Sequence, residues 1–386
     1  MRTLSDTISR LKALHARAAP MEPVSTRLIE LADFGTNPGA LNAHVYRPES
    51  LSGRGPLVVV LHGCTQTAAG YDLGSGWSDM ADRHGFMLLF PEQQRQNNPY
   101  VCFNWFSPED SRRGSGEALS IRQMIAAASS RYEIDPERVF VTGLSAGGAM
   151  ASVMLATYPE LFAGGAIIAG LPFGCATTIP EAFDRMRGHG VPGEAELAAL
   201  VREASDHAGP WPTISIWHGT GDATVSPSNA GAIIDQWRTL HGVSTTPASV
   251  QSVDGQVRRA WRNGAGREVI EEYMIQGMGH GTPLNTLGQD GCGQSGAYML
   301  EASISSTHHI CRFWGLTPHG NTAAVPDAPS GDAAPDHASA TEVAQAQGAS
   351  ASASHLERLG PIPAKAAAHG PGAVIEQALR AAGLMR

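Results

Sequence analysis

Residues 138–150 read RVFVTGLSAGGAM, and the join in the middle of that stretch decides the fold. Residues 139–142 form a short apolar run of the kind that a strand buried on both faces requires, and residues 147–158 have helical spacing. Between them stands Gly143-Leu144-Ser145-Ala146-Gly147, a G-x-S-x-G pentapeptide at a strand-to-helix turn. In a chain with 44 glycines the pentapeptide alone says little, so its setting carries the weight. Glycines on both sides permit a tight turn that lifts a serine hydroxyl above the strand end, where the following helix dipole favours negative charge.

Working outward, similar apolar runs recur at residues 57–61, 86–90, 165–169 and 213–217, with a further strand near 269–275. Helical stretches at 116–132 and 227–240 lie among them. This alternation predicts an α/β fold with a mostly parallel central sheet and helices on both faces. Ahead of it, alternating runs at 26–31 and 41–46 flank a Gly-Thr-Asn-Pro-Gly turn and predict an antiparallel hairpin. Ser226 reads as the N-cap of the 227–240 helix, Pro227 fits its first turn and Gly242 stops it. Between Leu171 and Trp211 the spacing predicts a helical excursion, with helices near 180–187 and 194–205, which is either a cap overhanging the top of the sheet or a bland surface excursion.

A serine hydroxyl needs a base, and the base an orienting carboxylate. In this topology they follow the serine in the order acid, then histidine, each on a loop after a later strand. TISIW runs into HGTGDATV, which puts Asp222 at a strand end; a turn-forming aspartate is the bland alternative, and Asp206 and Asp254 are rivals for the role. His280 lies in GMGHGTPL directly after the EEYMIQ run, flanked by Gly279 and Gly281; an exposed loop histidine is its alternative. His308, His309 and His319 lie on a helix or beyond the last strand. Oxyanion donors are expected from the Ala146 amide and, in the VVVLHGCTQT loop, the Cys64 amide.

The chain has 386 residues, 42% hydrophobic and 16% charged, which is enough apolar material for a substantial core. A formal charge of −9 without a basic stripe argues against a nucleic-acid partner. No apolar run reaches the length of a membrane span, and the opening residues lack the pattern of an export signal, so the expected location is cytoplasmic. Leu4, Ile8, Leu11 and Leu14 predict an amphipathic helix within 1–22; the catalytic domain is expected over 23–316. Residues 317–371 are rich in Ala, Pro, Gly and Ser and read as a disordered linker, and 372–386 as a C-terminal amphipathic helix. The cysteines show no metal-like spacing, and Cys311 reads as a buried small apolar residue. Cys64 and Cys102 both belong to loops at the top of early strands, close enough to bridge in an oxidising setting; two separately buried thiols are the alternative.

The motifs LHGCTQTA, FPEQ, CFNWF, GLSAGGAM, YPELFAGGAIIAG, GLPFGCA, WHGTGD, GMGHGTPL and ISSTHHICRFWGL resemble the polyhydroxybutyrate (PHB) depolymerase family of esterases, relatives of feruloyl and acetylxylan esterases. The likeness covers roughly residues 23–316. It implies one α/β-hydrolase domain without metal or organic cofactor, with Ser145, Asp222 and His280 as the catalytic residues and Cys64 and Ala146 as oxyanion donors. The implied activity is hydrolysis of carboxylic esters through an acyl-enzyme, on short-chain polyhydroxyalkanoate or 3-hydroxybutyrate esters or oligomers. Trp105, Phe106 and Leu144 are candidate substrate contacts. Alternatives are a feruloyl or acetylxylan esterase, and a polyester-granule-binding protein with little activity that touches granule or polymer through its termini. Family members are often extracellular and carry an export signal and a polymer-adsorbing domain; neither is legible in this sequence.

Overall fold

The computed structural model describes residues 27–317 except 289 and 290. The expected terminal helices and linker therefore lie outside the described residues, apart from Thr317. A ten-stranded sheet carries the structure, in the spatial order β1-β2-β4-β3-β5-β6-β7-β10-β9-β8. Its centre is parallel: β4 (Met87–Glu92), β3 (Gly55–Leu61), β5 (Ile134–Leu144), β6 (Gly164–Ile168), β7 (Thr213–Gly219) and β10 (Glu268–Ile275). Antiparallel strands flank it, β1 (Ile29–Glu30) with β2 (Asn42–Tyr46) on one side and β8 (Ser249–Val253) with β9 (Gln256–Arg262) on the other.

Alternation along β3 explains the two-sided core. Leu57, Val59 and Leu61 pack with Ile121, Met124 and Met150 of the helices Gly116–Arg131 and Ala146–Thr157, whereas Val58 and Val60 join Trp77, Phe90, Phe140 and Trp314 on the opposite face. Every residue of β3 is buried, which is why it reads as an unbroken apolar run.

The structure departs from the sequence reading at two places. The helix Ser228–His241 begins later than expected: Pro227 occupies the cap position without a side-chain bond, and Ser226 is tied by its N–H to the Met186 carbonyl at 2.7 Å. Ser226 Oγ still accepts the Ser228 N–H at 3.4 Å, and Gly242 ends the helix in the left-handed region as expected. The second departure is the β8–β9 hairpin, for which the sequence reading names no strand. Its residues are largely exposed, so the alternation carries little apolar contrast, yet Asp254-Gly255 at its tip, with φ of 49° and 78°, is a hairpin-turn signal.

The excursion holds the helices Ile179–Met186 and Glu194–Glu203, as expected. Among the described residues no helix is long and apolar enough to cross a membrane.

Candidate active site

The loops that carry the candidate residues all leave the carboxyl ends of parallel strands, Ser145 after β5, Cys64 after β3, Trp105 after β4, Asp222 after β7 and His280 after β10. Ser145 sits at φ 58°, ψ −116°, a conformation costly for a residue with a side chain. It is held there by its N–H bonding to the Ile168 carbonyl at 2.9 Å and by the Ala149 N–H bonding to its own carbonyl at 2.8 Å. Backbone contact dictates both glycines of the pentapeptide: a Cβ at Gly143 would stand 2.4 Å from the Gly147 carbonyl, and one at Gly147 2.3 Å from the Leu61 oxygen.

The acid and histidine loops are laced together. Thr220 N–H donates to the Ile275 carbonyl at 2.9 Å, Gly221 N–H to the Met278 carbonyl at 3.0 Å, and Gly277 N–H to Thr220 Oγ1 at 2.8 Å. Asp222 is thereby buried. Its Oδ1 accepts the N–H groups of Thr224 and Val225 at 2.8 and 2.9 Å, and its Oδ2 lies 2.7 Å from His280 Nδ1 and 3.3 Å from His218 Nε2. Burial alone would raise this carboxyl; the bonds from His218, His280 and the Val225 amide outweigh it and hold Asp222 well below the usual carboxylate range. With His280 Nδ1 spent on Asp222, its Nε2 is left for the recess that Ser145 and His280 line together.

Cys64 and Ala146 border the main cleft with Ser145, and their backbone N–H groups meet no acceptor among the described residues. The Cys64 loop is fixed from several sides. Thr65 N–H donates to the Tyr100 carbonyl at 2.7 Å, Gly63 N–H to Gln66 Oε1 at 2.8 Å, and a Cys64–Cys102 disulfide joins the loops with Cα atoms 4.3 Å apart. Of the two sequence-based alternatives the structure thus has the bridge. Below, His62 Nε2 accepts the Gln93 N–H at 3.1 Å while Nδ1 donates to the Gly63 carbonyl at 2.8 Å, and burial keeps this ring's pKa low.

A cleft of about 630 Å³ opens beside Ser145. Trp105 and Phe106, edge-on at 5.5 Å, form one wall; Ile179, Phe183 and Met186 of the excursion form the other. The excursion does overhang the site. Leu144 is buried beneath the smaller recess next to His280 rather than in the cleft. Glu117 anchors the Trp105 loop, accepting from Gln93 Nε2 at 2.5 Å, Asn104 Nδ2 at 2.8 Å and Asn104 N–H at 2.9 Å. Burial, aided by Asp110, pushes its carboxyl up to about 8 against those donors.

Other sequence candidates lie elsewhere. His309 Nε2 pairs with Asp254 at 2.8 Å between the hairpin tip and the helix Ser306–Phe313. Cys175, Cys292 and Cys311 are free and buried. Among the described residues no group of three His, Cys, Asp or Glu side chains is placed to hold a metal ion. Several residues at the site escaped the sequence reading, among them His218, a histidine inside the apolar run TISIWHG, Tyr298 beside His280, Gln66, and Phe183 and Met186 of the excursion. The only signal for His218 was its place in WHGTGD, four residues before Asp222.

Comparison with known proteins places this architecture. The family described as Esterase PHB depolymerase matches residues 41–259. The chain belongs to that family. The esterase is 45% identical over 291 residues to the poly(3-hydroxyalkanoate) depolymerase C of Paucimonas lemoignei, covering 75% of this chain and 70% of that protein. To an acetylxylan esterase of Coprinopsis cinerea it is 34% identical over 272 residues, 69% of this chain and 71% of that one. Among solved structures it resembles the acetyl xylan esterase from Aspergillus awamori, with a TM-score of 0.63 and 25% identity, over 75% of this chain and 99% of that chain. The esterase is thus a serine carboxylic ester hydrolase of the α/β-hydrolase fold.

Proposed function

We propose that Ser145 is the nucleophile, His280 its general base and Asp222 the orienting acid, with the Cys64 and Ala146 amides as oxyanion donors. The observation that carries this reading is the 2.7 Å bond between His280 Nδ1 and Asp222, which leaves Nε2 unspent in a residue that lines one recess together with Ser145. His280 takes the Ser145 proton as Oγ attacks the ester carbonyl. The tetrahedral oxyanion collapses, the bond to the alcohol oxygen breaks, and that oxygen leaves with the proton from His280. Water, activated by the same imidazole, then releases the acid from the acyl-serine.

The substrate class we infer is a hydroxyalkanoate ester or oligoester. The apolar walls of Trp105, Phe106, Phe183 and Met186 suit a hydrocarbon-bearing acyl group, and the 45% identity to a protein named as a poly(3-hydroxyalkanoate) depolymerase favours the same class. The likeness to acetyl xylan esterases, over nearly the whole of the Aspergillus awamori chain, supports a second reading, acetyl groups on polysaccharide. Hydrolysis of 3-hydroxybutyrate oligomers, acetylated xylan and methyl ferulate by one preparation separates them. A kcat/KM for acetylated xylan above that for the oligomers would reject the hydroxyalkanoate reading.

A further inference from the structure

Two recesses meet at Ser145, and only one of them reaches His280. The larger is the apolar cleft behind Trp105 and Met186; the smaller is lined by Gln66, Leu144, Ser145, His280 and Tyr298. During acylation the alcohol oxygen receives its proton from the imidazole, so it must stand at His280 as the bond to carbon breaks. The alcohol portion of the ester therefore belongs in the smaller recess, and the acyl portion in the larger.

Tyr298 is held in that recess against its backbone preference, at φ 61°. The short strands Thr282–Leu284 and Met299–Glu301 pair in parallel, Thr282 opposite Met299, and so bring His280 and Tyr298 side by side. Their rings meet edge-on with centroids 6.2 Å apart. Thr282 N–H donates to the Tyr298 carbonyl at 2.8 Å, and a Cβ at Gly281 would stand 2.7 Å from that same oxygen, so the close approach needs the glycine. The Tyr298 hydroxyl and Gln66 Nε2 meet no acceptor among the described residues. Because Gln66 Oε1 accepts the Gly63 N–H, the amide NH2 is the end left over for a ligand. Partial burial raises the Tyr298 phenol, so it stays a donor at neutral pH.

We propose that Gln66 and Tyr298 form the seat of the departing alcohol and select alcohols that carry a carbonyl oxygen, as the next hydroxyacyl unit of an oligoester does. This rests on Ser145 and His280 acting as proposed above. Two donors beside a phenol ring match a short chain ending in an ester carbonyl; a plain alkyl alcohol would bury both donors against hydrocarbon.

The test compares two butyryl esters, one of methyl 3-hydroxybutyrate and one of 2-hexanol, its carbonyl-free counterpart, by release of butyrate. The wild-type enzyme is expected to prefer the first in kcat/KM, and Tyr298→Phe to cut that preference roughly three- to tenfold, the worth of one neutral hydrogen bond. No wild-type preference, or a ratio unchanged in Tyr298→Phe even if both rates fall together, overturns the assignment. Should the variant not fold, the wild-type acyl-enzyme supplies an independent measurement through partition between the two free alcohols. Faster transfer of butyryl to methyl 3-hydroxybutyrate supports the seat, and equal transfer overturns it. Ser145→Ala, run alongside, keeps the readings apart: if it still turns over either ester the nucleophile assignment fails, whereas an inactive Ser145→Ala with an unaltered Tyr298→Phe ratio removes the alcohol seat alone.

Discussion

His218 Nε2 lies 3.3 Å from Asp222 Oδ2 and 2.9 Å from the Val225 carbonyl oxygen, inside a pocket that leaves its ring 1% exposed. A carbonyl oxygen only accepts, so Nε2 carries a hydrogen, shared with the carboxylate. His218 Nδ1 is buried and has no partner among the described residues, so the ring acts on its surroundings through Nε2 alone. The Nε2–H of His218 fixes the orientation of Asp222, whose other contact through Oδ2 is with His280. His218→Phe, which keeps the bulk and removes the donor, is expected to lower kcat about 10- to 100-fold with little change in KM, the worth of a hydrogen bond to a charged group. His218→Gln, which offers an amide N–H near the same place, should recover much of the loss. Equal impairment of both variants would reduce His218 to a packing residue.

The proposed roles at the centre have a graded signature. Ser145→Ala is expected to reduce ester turnover by about four or more powers of ten without changing the fold, because no other hydroxyl stands at the elbow. Asp222→Asn should be milder, since nucleophile and base remain while the imidazole loses its anchor. Steady-state kinetics on a p-nitrophenyl ester, with circular dichroism as the folding control, reads both. Activity of Ser145→Ala within tenfold of wild type rules the assignment out.

What could be read from sequence follows the range of the interactions concerned. The elbow was legible because its demands are local: Gly143 and Gly147 are forced by contacts with each other and with Leu61, and the last part of the strand that leads into it, residues 139–144, is buried throughout. The pairing of Asp222 with His280 was legible from strand ends and chain order. The β8–β9 hairpin was not, because a half-exposed ribbon leaves little apolar contrast, and the Asp254-Gly255 turn was the one local sign of it. Tyr298 was hidden for a different reason. Its place beside His280 depends on the pairing of Thr282 with Met299, a tertiary contact that no local pattern announces. The N-cap of the helix Ser228–His241 was displaced by one residue: Pro227 holds the cap position, although Ser226 Oγ accepts the Ser228 N–H at 3.4 Å.

The Cys64–Cys102 bridge closes a loop of 38 residues beside the proposed oxyanion donor. A closure of that length is worth about 4 kcal/mol through restriction of the unfolded chain. Cys64→Ser with Cys102→Ser, or reduction of the wild type, should lower the free energy of unfolding by roughly that amount. Catalysis should suffer less, by under about tenfold, because the Thr65–Tyr100 backbone bond and the Gly63–Gln66 bond still hold the loop. Guanidinium titrations with and without reductant check the first expectation; coincident curves would show that the bridge contributes nothing to stability.

Glu117 gives the fold a pH dependence of definite sign. Its carboxyl is raised from an ordinary 4.5 to about 8 by burial, so the folded protein holds a proton there that the unfolded chain releases. Between those values the native state binds more protons than the unfolded state, and stability must fall as pH rises. The contribution is complete below about 4.5 and is lost by about 8. The full effect is on the order of a few kcal/mol. Glu117→Gln cannot titrate and should flatten this slope. It should also start from a lower stability, by about 1–3 kcal/mol, because its NH2 group would face the Asn104 N–H where an oxygen now accepts. Urea midpoints of both proteins at pH 5.5, 7 and 8.5 read the two effects separately. Parallel slopes would mean that Glu117 is already ionised in the native protein, with its three donors prevailing over burial.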